Sequence, residues 1–457
     1  MRVVPLALRR DPFDVLASLA EEPGAFLLEV PDPHHPTTLL GCVPRAVLRI
    51  LADGRVERSD GCPTPTEPLA AFEQFVGDAP ADDTAPAFPL AGGVVGYLAY
   101  ELGRFTEAPR NLTARRPEPD TPLAVLARYD PILVYDRSRA HYALACGTPD
   151  AARAPWLERL AAPAPAWNGP LGRGPLTPRL PRERYLAAVR RILAYLAAGD
   201  VYQVNLTQPF AASLAAPAVA LYTRLARCHP APYGAYLDIG GVQLVANSPE
   251  LFLRRRGQWI ETRPIKGTRP RGSDPVDDAA LAAELLRDPK ERAEHVMIVD
   301  LERNDLGRVS CPGSVAVPAY ARIESRLTVH HLVSAVVGRL RSEVGLADLL
   351  RATFPGGSVT GAPKVRAMEI IQELEPSPRG PYTGAFGLFH PRGDLELGLA
   401  IRTAVVRDGV VRYGAGGGIV ADSDPERELA EAWLKTAALR LALGEETGAH
   451  FERCSSG

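Results

Sequence analysis

One lysine and two pairs of glutamates are the residues of this chain whose type and spacing could do chemistry. Lys266 sits in the segment Glu261-Thr262-Arg263-Pro264-Ile265-Lys266-Gly267-Thr268-Arg269-Pro270, a tight Pro/Gly/Thr loop that follows an apolar strand. A lysine needs no such surroundings to stay solvated. It needs them to attack a bound small molecule, because a nucleophilic amine must be held in place and must shed its proton. Glu294 falls at i, i+3, i+4 and i+7 with Met297, Ile298 and Leu301 of a helix that starts near Pro289, and Glu291 lies one turn earlier. A carboxylate on an apolar stripe is costly unless paired or metal-bound. Glu294 therefore either pairs with Arg292 or Arg303 or serves as a ligand. Glu428 and Glu431 repeat the spacing of three on a second helix, capped by Asp424 or Ser423 with Pro425 in its first turn. That face is either a solvated acidic helix start, which the macrodipole favours, or half of a site where both pairs meet a hard cation. Oxygen-only ligation suits Mg²⁺.

Weaker signals accompany these. Gly414-Ala415-Gly416-Gly417-Gly418-Ile419 follows a strand and reads as a Gly-rich turn, needed either for positive φ or to aim backbone N–H groups at an anion. Arg402, on the preceding strand, could hold a carboxylate with its planar fork or sit in a surface ion pair. His330-His331 follows a β-branched run, so one ring should point inward and the other outward. The run Arg254-Arg255-Arg256 reads as a solvated strand end.

The elements that must position these residues come from periodicity. Short β-like runs recur at 26–30, 94–98 and 131–135, then at 234–239, 242–246, 258–262, 382–390, 395–406 and 410–415. Helical patterns cover 182–198 and 346–353, besides the two that carry the glutamates. Turn signals at 391–394 and 407–409 join neighbouring strands as hairpins. Antiparallel pairing and an α+β fold follow, not a doubly wound parallel sheet. The Pro/Gly-rich stretch 161–182 separates an N-terminal region, 1–160, from a second region, 183–450. Residues 78–89 form another loop.

A chain of 457 residues with 46% hydrophobic and 23% charged residues can build a large core. A net charge of −2 gives no footprint for nucleic acid. No run approaches the ~20 apolar residues of a membrane span, and the N-terminus lacks the pattern of a signal peptide. A cytoplasmic enzyme is expected, with no nucleic-acid or membrane partner. Cys42, Cys62, Cys146, Cys228, Cys311 and Cys454 are scattered without metal spacing and read as reduced thiols.

Long motifs, in order, resemble the chorismate-utilising enzymes, and specifically the large component of aminodeoxychorismate synthase. They are YQVNLTQPF (202–210), HPAPYGAYL (229–237), NSPELF (247–252), ETRPIKGTRPRG (261–272), AEHVMIVDLERNDLGRV (293–309) and VHHLVS (329–334). FPGGSVTGAPKVRAMEIIQELEP (354–376), IRTAVV (401–406) and AGGGIVADSDPE (415–426) complete the set, and GYLAYELGRFTE (96–107) extends it upstream. The resemblance implies a two-layer antiparallel β sandwich with outer helices, to which the N-terminal region contributes. It implies conversion of chorismate and ammonia to 4-amino-4-deoxychorismate, on the route to p-aminobenzoate and folate. Ammonia would come from glutamine through a separate glutamine amidotransferase subunit.

The resemblance also assigns roles. Anthranilate synthases carry alanine where this chain has Lys266, and water-adding relatives carry lysine where it has Gln203. Lys266 would attack C2 of chorismate and expel the C4 hydroxyl; ammonia would then attack C4 and expel the lysine. Glu250 is the matching general acid/base. Mg²⁺ would be held by Glu294 and Glu431, with Glu291 and Glu428 acting through water, and would grip the ring carboxylate. Arg402, Tyr382 and the backbone at Gly416 and Gly418 would hold the pyruvyl carboxylate, with Gln203, His331, Ser358 and Lys435 lining the same pocket. The segment Leu27-Leu28-Glu29-Val30 lacks the serine of tryptophan-regulated relatives, so no tryptophan feedback is expected. The alternative is anthranilate synthase component I.

Overall fold

The computed structural model describes residues 2–32, 35–79, 93–106, 121–148, 154–163, 165, 167, 169–327 and 329–445. Most of the loop expected at 78–89, and Cys454, lie outside these residues. Among the described residues the strands build two sheets, of twelve and eleven strands. Their ladders are antiparallel. The first sheet runs across Arg2–Leu6, His141–Cys146, Ile132–Asp136, Thr37–Gly41, Phe26–Val30, Tyr233–Ile239, Val242–Ser248, Thr403–Arg407, Val410–Ile419, Gln203–Ser213 and Thr177–Pro178, with Gly361–Ala362 also on Gln203–Ser213. The second runs across Ile265–Pro270, Val329–Arg339, Trp259–Arg263, Leu251–Arg256, Leu395–Leu399, Ala385–Phe389, Gly93–Leu98, Ala124–Tyr129, Ala46–Ile50 and Val56–Arg58, with Ala316–Ser325 on Val329–Arg339. Strands from before and after residues 161–182 are neighbours in both sheets: Phe26–Val30 pairs with Tyr233–Ile239, and Gly93–Leu98 with Ala385–Phe389.

The sheets stack face to face with helices outside, as an α+β sandwich. Alternation along each strand explains the layering. Phe26, Leu28 and Val30 point into the inter-sheet core with Val95, Tyr97, Phe386 and Leu388. Leu27 points outward beneath the helices Pro12–Leu19 and Ala218–Cys228. Ala385 and Phe389 point out of the second sheet, beneath Pro68–Gly77, Pro289–Gly307 and Leu346–Thr353. Strands covered on both faces read as unbroken apolar runs, which is why they stood out in the sequence.

Four local expectations need correction. The run 395–406 is not one strand: Leu395–Leu399 belongs to the second sheet and Thr403–Arg407 to the first, and the chain changes sheet between them. The run 382–390 is strand only at Ala385–Phe389. Lys266 lies in a strand, Ile265–Pro270, bulged at Gly267 (φ +73°), and not in a free loop. The glycines at 414–418 form no turn. They continue the strand Val410–Ile419, in register with Gln203–Ser213.

Close approach explains those glycines. A Cβ on Gly414 would stand 2.2 Å from the Tyr382 ring, and one on Gly418 would stand 2.6 Å from Gln203 Nε2. Gly414→Ala must therefore displace a buried tyrosine. It is expected to cost about 1–3 kcal/mol by overpacking and to slow chorismate turnover, which thermal melts and a chorismate-consumption assay would check. A wild-type melting temperature would refute the clash.

Candidate active site

Two crossings of the chain between the sheets lie side by side. One runs from Ser248 to Leu251 and carries Glu250; the other runs from Leu399 to Thr403 and carries Arg402. They are stitched together by Asn247 N–H to Arg402 O (3.1 Å) and Leu399 N–H to Glu250 O (3.0 Å). Arg402 adopts φ +49°, a conformation a long side chain rarely accepts. The crossing therefore fixes its backbone at some cost.

Glu250 is buried and accepts a hydrogen bond from Ser358 Oγ at 2.7 Å. Burial pushes its carboxyl up to about 7, against the pull of Ser358, Lys266, the Ile265 N–H and Arg402. Such a group exists near neutrality in both protonation states, which a general acid/base requires. Burial holds the Arg402 guanidinium below its ordinary range, and among the described residues it has no ion-pair partner. A desolvated, unpaired guanidinium is suited to a carboxylate ligand. His331 is buried against Thr268 Oγ1 (Nδ1 at 3.0 Å), and burial with Arg402 nearby pulls it down to about 4, so it stays neutral. Tyr382 is buried, and burial raises its hydroxyl. Gln203 is fully buried, and neither polar atom of its amide has a partner among the described residues.

Lys266 connects this half to the carboxylates. It is half-buried, and its amine makes no hydrogen bond or ion pair among the described residues. Its charge is nonetheless felt at Glu250, Glu294, Glu431 and His295. Three of these four neighbours are carboxylates.

The four expected metal glutamates come from two helices. Asp288 caps Pro289–Gly307 through the N–H groups of Lys290 and Glu291, and Asp424 caps Pro425–Leu434 through those of Glu426 and Arg427. Ser423 is free of that task and donates to Glu428 Oε1 at 2.7 Å. Glu291 contacts Arg269 (3.4 Å), Glu294 contacts Lys290 (3.9 Å), and the exposed Glu431 contacts Lys435 (2.7 Å). Lys435 also donates to Gly416 O at 2.7 Å. Burial raises Glu294, with Glu291 and Glu428 raising it further; burial raises Glu428, with Glu431 adding to it. Across the two helices, Glu294 and Glu428 are thus close enough for their charges to repel. Among the described residues no three of the four glutamates close onto one point.

Sequence reasoning missed Glu302. The buried stripe of Pro289–Gly307 is His295, Ile298, Val299, Glu302, Asp305 and Leu306, rotated from the apolar stripe expected through Met297 and Leu301. Three polar residues occupy it, so a search for apolar spacing passed it by. Glu302 accepts from Thr262 Oγ1 (2.9 Å), and burial, with Glu250 and Asp305 adding to it, lifts its carboxyl far above the usual range. Lys364 and Asp305 form a buried pair at 2.5 Å alongside. The signal available was the His295/Glu302/Asp305 spacing of seven and three. His330 also departs from expectation: it is buried, not outward, held between Ser325 Oγ (2.8 Å) and Asp278 (2.9 Å) by the packed helix Pro275–Arg287.

Comparison with known proteins follows the geometry. Residues 24–440 match the family model described as chorismate binding enzyme. The chain is 42% identical to anthranilate synthase component 1 of Thermus thermophilus, covering 96% of each chain. It is 40% identical to aminodeoxychorismate synthase component 1 of Bacillus subtilis, covering 82% of each. The fold superposes on the crystal structure of anthranilate synthase component I from Streptococcus pneumoniae with a TM-score of 0.77 at 30% identity, covering 90% of this chain and 93% of that one. The chain belongs to the chorismate-binding enzymes and is a chorismate-utilising enzyme of that family. Relatives bearing two different reaction names match it about equally well. No helix among the described residues is long and apolar enough to cross a membrane.

Proposed function

We propose that this chain is the chorismate-aminating component of an aminodeoxychorismate synthase. The observation that carries the reading is Lys266. Its amine, without a partner among the described residues, acts by its charge on a buried carboxyl poised near neutrality, Glu250, and on Glu294 and Glu431 of the two glutamate helices. Lys266 would first release its ammonium proton to solvent; its neutral Nζ would then bond to C2 of chorismate, the two conjugated ring double bonds would shift together, and the C4 oxygen would leave as water with a proton from Glu250. Ammonia would then bond to C4, the two double bonds would shift back, and the lysine would leave as a neutral amine. Arg402 and Tyr382 would hold the pyruvyl carboxylate. Neutral His331, Ser358, Gln203, Lys435 and the strand backbone at Gly416 and Gly418 would shape the pocket.

The donors suit Mg²⁺ by type, four carboxylate side chains, although no three of them close onto one point among the described residues. Carboxylates that raise one another across a gap favour a divalent cation between them. Glu294 and Glu431 would hold it directly, with Glu291 and Glu428 through water, once Lys290 and Lys435 turn aside. Bound there, the ion would supply charge to anchor the ring carboxylate. A separate glutamine amidotransferase would deliver the ammonia.

The second reading, anthranilate synthase component I, is favoured by the Thermus thermophilus relative. Pyruvate release separates the two. Incubation with chorismate, Mg²⁺ and ammonium should consume chorismate without pyruvate; stoichiometric pyruvate would select the second reading. Arg402→Ala should raise KM for chorismate by losing a charge-assisted contact of about 1.5–3 kcal/mol. An unchanged KM would remove Arg402 from the substrate pocket.

A further inference from the structure

A cavity of about 60 Å³ lies between the turn Tyr100–Phe105 and the C-terminal end of the helix Lys364–Leu374. That is several times the ~10–15 Å³ that one water needs. Met368, Ile371 and Pro378 form its apolar wall. Three buried polar atoms that lack partners among the described residues belong to the remaining wall: Tyr100 Oη, Arg104 Nε and Gln372 Oε1. Tyr100 is only 7% exposed. Among the described residues Arg104 makes one hydrogen bond, from Nη2 to Ala52 O at 2.7 Å, and burial pulls its guanidinium down. Glu101 and Glu375 also line the cavity, but Glu101 already accepts from the Arg379 and Gly380 N–H groups (2.7 and 3.0 Å) and Glu375 is paired with Arg379 (2.7 Å). The groups left to meet a ligand are thus a cation, a hydroxyl and an amide acceptor around an apolar slot, and none of these takes part in the chemistry above.

We propose that this cavity binds a small aromatic carboxylate bearing an amine or hydroxyl donor, and that its occupancy is felt at the substrate pocket through Arg379. The carboxylate would meet Arg104 Nε and the Tyr100 hydroxyl. The ring would lie against Met368, Ile371 and Pro378, and the donor would face Gln372 Oε1. Arg379 lies over the Tyr100 ring at 4.5 Å. It donates to Val359 O (2.8 Å), Thr383 Oγ1 (3.3 Å) and Asn205 O (2.7 Å). Its partner Glu375 accepts from the N–H and Oγ1 of Thr207, both at 2.9 Å. The segments tied together in this way carry Ser358, Tyr382 and Gln203. An occupant that moves Tyr100 therefore bears on one guanidinium that fixes three parts of the substrate pocket. The binding stands apart from the reaction assigned above; the coupling rests on that assignment.

The test is calorimetric titration of the full chain with 4-aminobenzoate, with benzoate (no donor) and acetate (no ring) as comparators. One molecule of 4-aminobenzoate should bind per chain. Benzoate, and 4-aminobenzoate on Arg104→Gln, should bind roughly tenfold or more weakly, since a charge-assisted contact or a donor is lost. Because Arg104 also holds the Ala52 carbonyl, Ser377→Trp provides a second variant: it fills the cavity from its rim and should abolish binding while chorismate consumption persists. In steady state the ligand should raise the apparent KM for chorismate. Absence of saturable binding, or binding unchanged in both variants, would overturn the site. So would loss of binding in Arg402→Ala together with displacement by chorismate, because the ligand would then occupy the substrate pocket. Binding with an unchanged KM would overturn the coupling. The heat of binding is read without turnover, so failure of the assigned reaction would be seen separately.

Discussion

Lys266→Ala is expected to abolish formation of 4-amino-4-deoxychorismate, with kcat reduced by about 10³-fold or more, since a tethered nucleophile supplies effective molarities of ~10⁵ M and above. The loss should fall on kcat and not on folding, because the amine makes no hydrogen bond or ion pair among the described residues. Chorismate should still bind, through Arg402 and the carboxylate gap. The same lysine lowers Glu250, Glu294 and Glu431 by its charge, so a purely electrostatic role needs its own control. Lys266→Arg keeps the charge and removes the nucleophile. If Lys266 bonds to substrate, both variants are inactive. If the arginine variant recovers most of the rate, the charge organises the pocket and the covalent route is wrong.

Glu250→Gln should lower kcat by about 10²–10⁴-fold with little change in KM, the usual contribution of a positioned acid/base. The pH dependence carries the sign. Burial lifts the carboxyl from 4.5 to about 7. The protonated form that the leaving hydroxyl needs therefore predominates below about 7, and wild-type kcat should fall as pH rises through that value. Stability follows the same titration. A folded-state value raised above the unfolded one means that the neutral carboxyl suits the fold, and stability is lost as pH rises from about 4.5 through about 7. The difference corresponds to roughly 3 kcal/mol at pH 8. Gln mimics the neutral form, so Glu250→Gln should melt above wild type at pH 8 and like it at pH 4. Equal destabilisation at both pH values would show that Glu250 is ionised and paired in the fold.

Much of the scaffold was legible because it obeys simple periods. The apolar runs at 26–30 and 242–246 are strands buried on both faces, and the helix at 346–353 begins and ends where its spacing indicated. The first glutamate helix starts at Pro289, as its pattern indicated, and the second at its Asp424 cap. What escaped has physical causes. The sheet change at 400–402 carries no Gly or Pro; a left-handed Arg402 makes the corner, and the apolar residues on either side read as one strand. The glycines at 414–418 looked like a turn because turns and close strand packing both call for glycine, and only the neighbours, Tyr382 and Gln203, distinguish them. Glu302 was hidden because its helix buries polar residues, a choice that packing alone would not make. The pairing of Glu250 with Ser358, 108 positions apart, is a contact that no local pattern encodes.

The most direct measurement is the identity of the product. The purified chain would be incubated with chorismate, Mg²⁺ and nitrogen-labelled ammonium, and the product analysed by mass spectrometry and NMR. The expected product carries the label at C4 with its enolpyruvyl side chain intact, and it is absent with Lys266→Ala. Labelled anthranilate, with the nitrogen at C2 and one pyruvate released per turnover, would contradict the assignment of Lys266 to C4 amination.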